Sequence, residues 1–73
     1  MTNTHSSGGW LVAVTQQGGD KTLYHAAIAD PEQAVARVLK VAGVPGTADA
    51  VGRLSKGQIE GLGMKDGEVR FAL

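Results

Sequence analysis

The chain contains no cysteine, which excludes disulfide bonds and metal sites built from thiolates. Aromatic residues are nearly as scarce, with one tryptophan, one tyrosine and one phenylalanine. The two histidines, His5 and His25, do not have the ligand spacing of zinc sites. No apolar run approaches the roughly 20 residues that a membrane-spanning helix needs, so we expect no membrane partner. The lack of cysteine fits a reducing compartment, and we expect a cytoplasmic protein.

Neither sign of charge is in excess, because seven basic residues balance seven acidic ones. Acidic and basic side chains also alternate along the C-terminal third of the chain. Nucleic-acid binding requires clustered cations that neutralise phosphates, and the sequence has no such cluster. We therefore expect no nucleic-acid partner. Weak nucleic-acid binding stays an alternative only if four cations gather on one surface: Arg53, Lys56, Lys65 and Arg70.

Seventy-three residues provide for one small domain, which we expect to cover residues 10–73. A chain of this size buries only about 60% of its unfolded surface, so a lone core is marginal. Extra stability is expected from self-association or a partner. Residues 1–9 are small and polar and end in two glycines, which predicts a disordered tail. This segment also lacks the cationic start and apolar stretch of a secretion signal.

The clearest local pattern is a helix start. Asp30 is a capping carboxylate, Pro31 suits the first helical position and Gln33 the third. Apolar residues then recur on one face, at Ala34, Val35, Val38, Leu39 and Ala42. The pattern predicts an amphipathic helix over 31–42, ended by Gly43 in a left-handed conformation and by Pro45.

A hairpin is predicted before this helix. Trp10 to Gln16 favours a strand with two rather apolar faces, which indicates an inner position in a sheet. Gln17-Gly18-Gly19-Asp20 supplies a tight turn, and the return strand runs from about Lys21 to Ala29. On the return strand, Tyr24 and Ile28 are expected to face the helix.

The segment from Thr47 to Leu54 fits either a third strand or an irregular connection, and we favour the strand. A second, short helix follows, because Ser55 and Gln58 form a capping-box pair. Leu54 is placed to pack on Ile59 across this helix start. The helix is expected to end at Gly63, with Met64 folding back onto it.

The last segment, Glu68 to Leu73, alternates between apolar and polar residues and predicts a final strand at the sheet edge. Its inward residues are Val69, Phe71 and Leu73. The element order is therefore ββα(β)αβ. It indicates a small two-layer α+β domain, with an antiparallel-rich sheet, one main helix packed on it and a short second helix.

His25 and Tyr24 are the only adjacent pair suited to acid–base chemistry. Neighbouring residues on a strand point to opposite faces, so local geometry does not bring them together. No carboxylate is positioned by sequence to orient the imidazole, although Asp20 and Asp30 lie near the strand's ends. We therefore predict no catalytic, cofactor-binding or metal-binding residue. An enzyme or small-ligand binder that uses His25 and Tyr24 is the alternative.

The glycines do not form a phosphate-binding loop, because the required strand before them and long helix after them are missing. Gly57 and Gly61 instead leave a flat strip on the second helix that admits a neighbouring backbone, its own or a partner's. Trp10 either plugs the end of the core or anchors a contact, since tryptophan is enriched at interface hot spots.

These patterns favour a small non-catalytic protein-interaction or regulatory module without a cofactor. A thin core and an exposed edge strand indicate a homodimer formed through a sheet edge or through the C-terminal strand. The predicted interaction residues are Trp10, Gly57, Gly61, Arg70 and Phe71.

Overall fold

The computed structural model describes residues 8–43 and 46–72. Its elements are β1 (Gly9–Gln16), β2 (Lys21–Ala26), α1 (Pro31–Ala42), β3 (Gly46–Leu54), α2 (Lys56–Gly61) and β4 (Val69–Phe71). The strands form one antiparallel sheet in the order β3-β1-β2-β4, and α1 packs across one of its faces. The predicted α+β class is confirmed, and the ambiguous segment after α1 is a strand.

The β1–β2 hairpin closes as its turn residues predict. The Gln16 N–H donates to the Asp20 carbonyl and the Gly19 N–H to the Gln16 carbonyl, each at 2.9 Å. Gly19 has a φ of 92°, which a residue with a side chain rarely adopts. β1 lies between β3 and β2, so its predicted inner position is confirmed.

The bounds of all four strands differ from those predicted. β3 begins at Gly46, one residue before the predicted Thr47. β1 begins at Gly9, one residue early, while residues 1–7 of the expected tail lie outside the described residues. β2 ends at Ala26 because Ala27 bonds instead to the segment before β4: its N–H donates to the Glu68 carbonyl, and its carbonyl accepts from the Gly67 N–H. β4 is only three residues long, and Leu73 lies outside the described residues.

α1 begins and ends at the predicted residues. The Asp30 carboxylate accepts from the Glu32 N–H at 3.1 Å, which satisfies one of the free donors of the first turn. Gly43 is left-handed, with a φ of 64°, and its N–H donates to the Leu39 carbonyl at 3.1 Å. Pro45 lies outside the described residues.

The main core lies between α1 and the sheet. Its fully buried members are Val12, Val14, Ala26, Ala34 and Val38. Tyr24 and Ile28 pack around this cluster, which confirms that they face the helix. Because residues alternate along a strand, the opposite face of the sheet carries Leu11, Ala13 and Leu23.

α2 is held by a second, smaller cluster of Ala27, Leu54, Ile59 and Met64. Ser55 and Gln58 make both bonds of the capping box, at 3.1 and 2.8 Å. The last helical residue is Gly61, and Gly63 (φ 69°) is the left-handed residue that reverses the chain. Met64 then folds back, its N–H donating to the Ile59 carbonyl at 3.2 Å. The fold-back of Met64 after Gly63 is thus confirmed, while the helix itself stops two residues before Gly63.

Candidate functional site

β3 forms one edge of the sheet and is nine residues long. Its side away from β1 has no strand beside it among residues 8–43 and 46–72, so its outward backbone groups are available for pairing. The opposite edge is β4, with three residues. β3 is therefore the longer template for an added strand.

The β3 edge is only partly protected against strand addition. It contains no proline and no lysine, and its charged residues are Asp49 and Arg53. Its single irregularity is a bulge. Ala50 pairs with Val12 and Gly52 pairs with Leu11, so Val51 between them has no partner on β1. Val51, the extra residue, is 56% exposed. An aliphatic side chain is thus presented to solvent at the middle of an unpaired edge.

The sheet face opposite α1 is a second candidate surface, and we call it the open face. Its centre is apolar: Leu11, Ala13 and Leu23 lie there, each partly exposed. Gly52 pairs with Leu11, and a Cβ at this glycine would lie 3.8 Å from the Leu11 Cβ. Because glycine has no side chain, Leu11 stays uncovered on that side.

Charge is distributed unevenly over the open face. Asp49 pairs with Ala13 and so lies on the β3 side, whereas Lys21 pairs with Thr15 and lies on the β2 side. Both side chains are exposed, and neither takes part in a salt bridge within the described part of the chain. The apolar centre is therefore flanked by Asp49 on one side and by Lys21 and Arg70 on the other.

Arg70, a predicted interaction residue, ties β4 to the end of α2. Its guanidinium donates to the Leu62 carbonyl at 2.6 Å and to the Gly63 carbonyl at 3.4 Å. It also bonds the Glu68 carboxylate at 3.1 and 3.2 Å. A cation at a helix C-terminus satisfies free carbonyls and interacts favourably with the helix dipole. These contacts give Arg70 an intramolecular role.

The Glu68 carboxylate is held from two sides. It accepts from the Lys65 backbone N–H at 2.8 Å and pairs with Arg70. The Lys65 N–H, and after it the Arg70 guanidinium, hold the pKa of Glu68 below its usual 4.5. This arrangement fixes the turn that leads into β4.

Trp10 takes the first of the two positions considered for it, at one end of the core. It is partly buried against the main core, and its Nε1 donates to the Ala29 carbonyl at 2.9 Å. The Arg53 guanidinium lies 5.2 Å from the ring centroid, within cation–π range. The ring thus closes one end of the core, while Arg53 covers it from outside.

Phe71 is the most exposed large apolar residue of the described chain, at 66%. It lies on β4 opposite Tyr24, and the two rings meet edge to face with centroids 5.9 Å apart. Arg70 and Phe71 are neighbours on a strand and so point to opposite faces. The predicted interaction residues therefore do not form one continuous surface.

Gly57 and Gly61 lie on α2 and are exposed. A Cβ at Gly61 would meet no atom of the described residues within 4 Å, and one at Gly57 would meet only the Ser55 Oγ, at 3.8 Å. The flat strip is therefore not filled by a neighbouring backbone of the described chain.

His25 and Tyr24 are not brought together. Tyr24 packs on the core side, while His25 pairs with Leu11 and Arg70 on the open face. Within residues 8–43 and 46–72, no group of three His, Asp or Glu side chains is placed to hold a metal ion.

A shallow groove of about 640 Å³ lies between α1 and the turn before β4. Arg37 and Lys40 lie on its helical wall, Asp66 on the opposite wall and Asp30 at one end. These exposed charges of both signs do not define one class of ligand.

The four cations that a nucleic-acid interface would need are mostly engaged elsewhere. Arg53 lies over Trp10, Lys56 is 3.9 Å from Glu60, and Arg70 pairs with Glu68. Among the described residues, three of the four cations therefore already contact another side chain.

Sequence reasoning indicated a sheet edge as an interaction surface, but it identified neither β3 as that edge nor the open face. A signal for the open face is present in β1, where Leu11 and Ala13 make the second face as apolar as the first. That feature indicated only an inner strand, because the side on which the helix packs is not visible in the alternation.

Among the residues described, no helix has the length and apolar character to cross a membrane. Comparison of the chain with protein-family models, curated proteins and solved structures found no match.

Proposed function

We propose that this protein is a small non-catalytic protein-interaction module whose β3 edge accepts an extended segment of a partner protein. In this binding mode the partner adds a strand to the sheet, and main-chain hydrogen bonds supply the affinity. The observation that carries the proposal is the nine-residue β3 at the sheet edge, with Val51 exposed at its centre.

The details of the edge support this mode of binding. β3 pairs with β1 along its length and is therefore already ordered. Binding a partner strand consequently costs little conformational entropy in β3. The bulge bends β3 and interrupts its ladder at Val51, so an added strand would pair on either side of it and would pack an apolar side chain on Val51. We therefore expect specificity for the partner segment to come from side chains that pack on either side of the bulge.

The proposal is tested by selecting peptides of about ten residues from a random displayed library against the full chain. Lysine on an edge strand is a natural deterrent to strand addition. We expect Val51→Lys to weaken the selected peptides about tenfold, equivalent to 1.4 kcal/mol. Isothermal titration calorimetry measures the loss, and amide hydrogen exchange should show new protection in β3.

Val41→Lys is the matched control, because Val41 is 54% exposed and lies on α1. Peptide affinity should be unchanged in this variant. Equal affinity for the wild-type chain, Val51→Lys and Val41→Lys, or protection that appears outside β3, would show that the edge is not the binding site.

A further inference from the structure

We propose that the segment bound at the β3 edge belongs to a different protein and carries an acidic residue three positions before a basic one, with an apolar side chain between them. This inference rests on the proposed function and names the chemistry of its partner. The segment runs antiparallel to β3, as every strand of the sheet runs to its neighbours.

The first argument is the charge pattern along the edge. Asp49 and Arg53 lie on either side of Val51, and all three side chains are exposed. Neither charged residue forms a salt bridge within residues 8–43 and 46–72, and the Arg53 guanidinium lies instead over the Trp10 ring. Both charges are therefore available to the side chains of an added strand.

The second argument is the face on which each charge lies. Asp49 pairs with Ala13, which places it on the open face. Arg53 pairs with Trp10, whose ring packs on the helix side of the sheet. Side chains alternate along a strand, so the two residues that meet these charges are an odd number of positions apart on the partner.

The bulge in β3 gives the spacing. On β1 the residues that pair with Asp49 and Arg53 are three positions apart (13 − 10), and an added strand that passes the bulge in the same way has the same spacing. In the antiparallel direction, the residue opposite Arg53 comes first. The partner therefore reads acid, two residues, base, and one of the two middle residues packs on Val51.

The two charges make the edge selective. Opposite charges directly across two strands stabilise the pairing, and like charges destabilise it. Because Asp49 and Arg53 differ in sign, a segment with a single kind of charge is repelled at one of the two positions. Charged residues on an edge strand usually oppose strand addition, and here they exclude all but the complementary segment.

A second copy of this chain does not supply that segment. None of its seven acidic residues is followed three positions later by lysine or arginine. Antiparallel pairing of two β3 strands centred on Val51 would place Asp49 of one copy across from Arg53 of the other. The two would lie on opposite faces of the joined sheet, because the bulge puts them on different sides. The pattern therefore fits a different protein.

Parallel selections from one random displayed library of peptides of about ten residues test the proposal, with the full wild-type chain, Asp49→Lys and Asp66→Lys as targets. Wild-type peptides should carry Asp or Glu three positions before Lys or Arg. Asp49→Lys should select an acidic residue at both positions. Asp66→Lys is the matched control, because Asp66 is exposed and precedes β4, at the opposite edge of the sheet. Its peptides should show the wild-type pattern.

Isothermal titration calorimetry measures the effect of each charge. A peptide selected on the wild-type chain should bind Asp49→Lys about fivefold more weakly, because repulsion replaces attraction. Replacing the basic residue of that peptide by Glu should restore its affinity for Asp49→Lys to within about twofold of the original. Asp49→Asn removes the charge without reversing it and should cost about twofold, which keeps the test decisive if Asp49→Lys does not fold.

The inference and the proposed function fail separately. Peptides that protect β3 from hydrogen exchange but lack the pattern, or carry the base before the acid, overturn the partner's chemistry and leave the edge as the binding site. The same holds if Asp49→Lys selects the wild-type pattern. Peptides that do not protect β3 overturn both proposals. Protection of β3 that rises with the concentration of the chain alone would assign the edge to a second copy and overturn the assignment to a different protein.

Discussion

A single residue, Arg70, joins three parts of the molecule: β4, the end of α2 and the turn containing Glu68. Sequence alternation placed it on the outer face of β4, which is where it lies. It could not reveal the bond to Leu62, because that contact depends on where the end of α2 docks.

Similarly, alternation assigned Phe71 to the helix side. Its 66% exposure follows from β4 being the edge strand, which only the sheet order shows.

At this scale we expect Glu68→Gln to lower stability at pH 7 and to lose that effect in acid. The pKa of Glu68 is lower in the folded chain than its usual 4.5, so ionised Glu68 stabilises the fold above that pH. The contribution disappears as the pH falls below 4.5 and through the folded-state pKa. Urea unfolding of the wild-type chain and variant at several pH values measures the difference. Glu60→Gln, which removes only an exposed pair with Lys56, is the control and should cost less. A wild-type–variant difference that is constant with pH would contradict the assignment.

At the scale of elements, both helices were predicted closely and the strands less well. A helix start depends on residues three or four apart, so Asp30 and Ser55 show it in the sequence itself. A strand's length depends on what pairs with it. β2 stops at Ala26 because the residue after it bonds to the segment around Glu68, 41 positions further on (68 − 27), and no local pattern records this. The β3 strand was favoured but not distinguished from a loop for the same reason.

The capping box of α2 gives a prediction for a single element. Ser55→Ala removes the hydroxyl that accepts from the Gln58 N–H, and we expect a loss of about 1 kcal/mol in the free energy of unfolding. Two glycines lower the helix propensity of this six-residue segment, so intrinsic propensity does not compensate for the lost cap. Ser55→Thr keeps an accepting hydroxyl and should restore most of the stability. Chemical denaturation of the three proteins gives the values. An alanine variant as stable as the wild-type chain would show that the docking of Ile59 alone holds α2.

At the scale of the whole molecule, the layer arrangement was predictable and the strand order was not. Capped helix starts and alternating strands indicate a helix on a sheet. They leave open whether β3 pairs with β1 or with β2, and that choice decides which strand forms the long edge. The edge used in the proposed function follows from this non-local choice.

The main core gives the last prediction, because one helical side chain connects several elements. Val38 is fully buried against residues from β1 and β2, so Val38→Ala should cost about 2 kcal/mol through lost burial and the cavity left behind. Domains of this size have only about 3–9 kcal/mol in total, so the midpoint of unfolding should fall markedly. Val41→Ala on the same helix is the matched control; its side chain is 54% exposed, and the change should stay within about 0.5 kcal/mol. Because Trp10 packs between the layers and responds to both, NMR signals of backbone amides follow the helix and the sheet separately during unfolding. If α1 and the sheet unfold as one unit, both signals shift together in Val38→Ala. Signals that separate would show that the helix detaches before the sheet unfolds, and that the core does not unite the two layers.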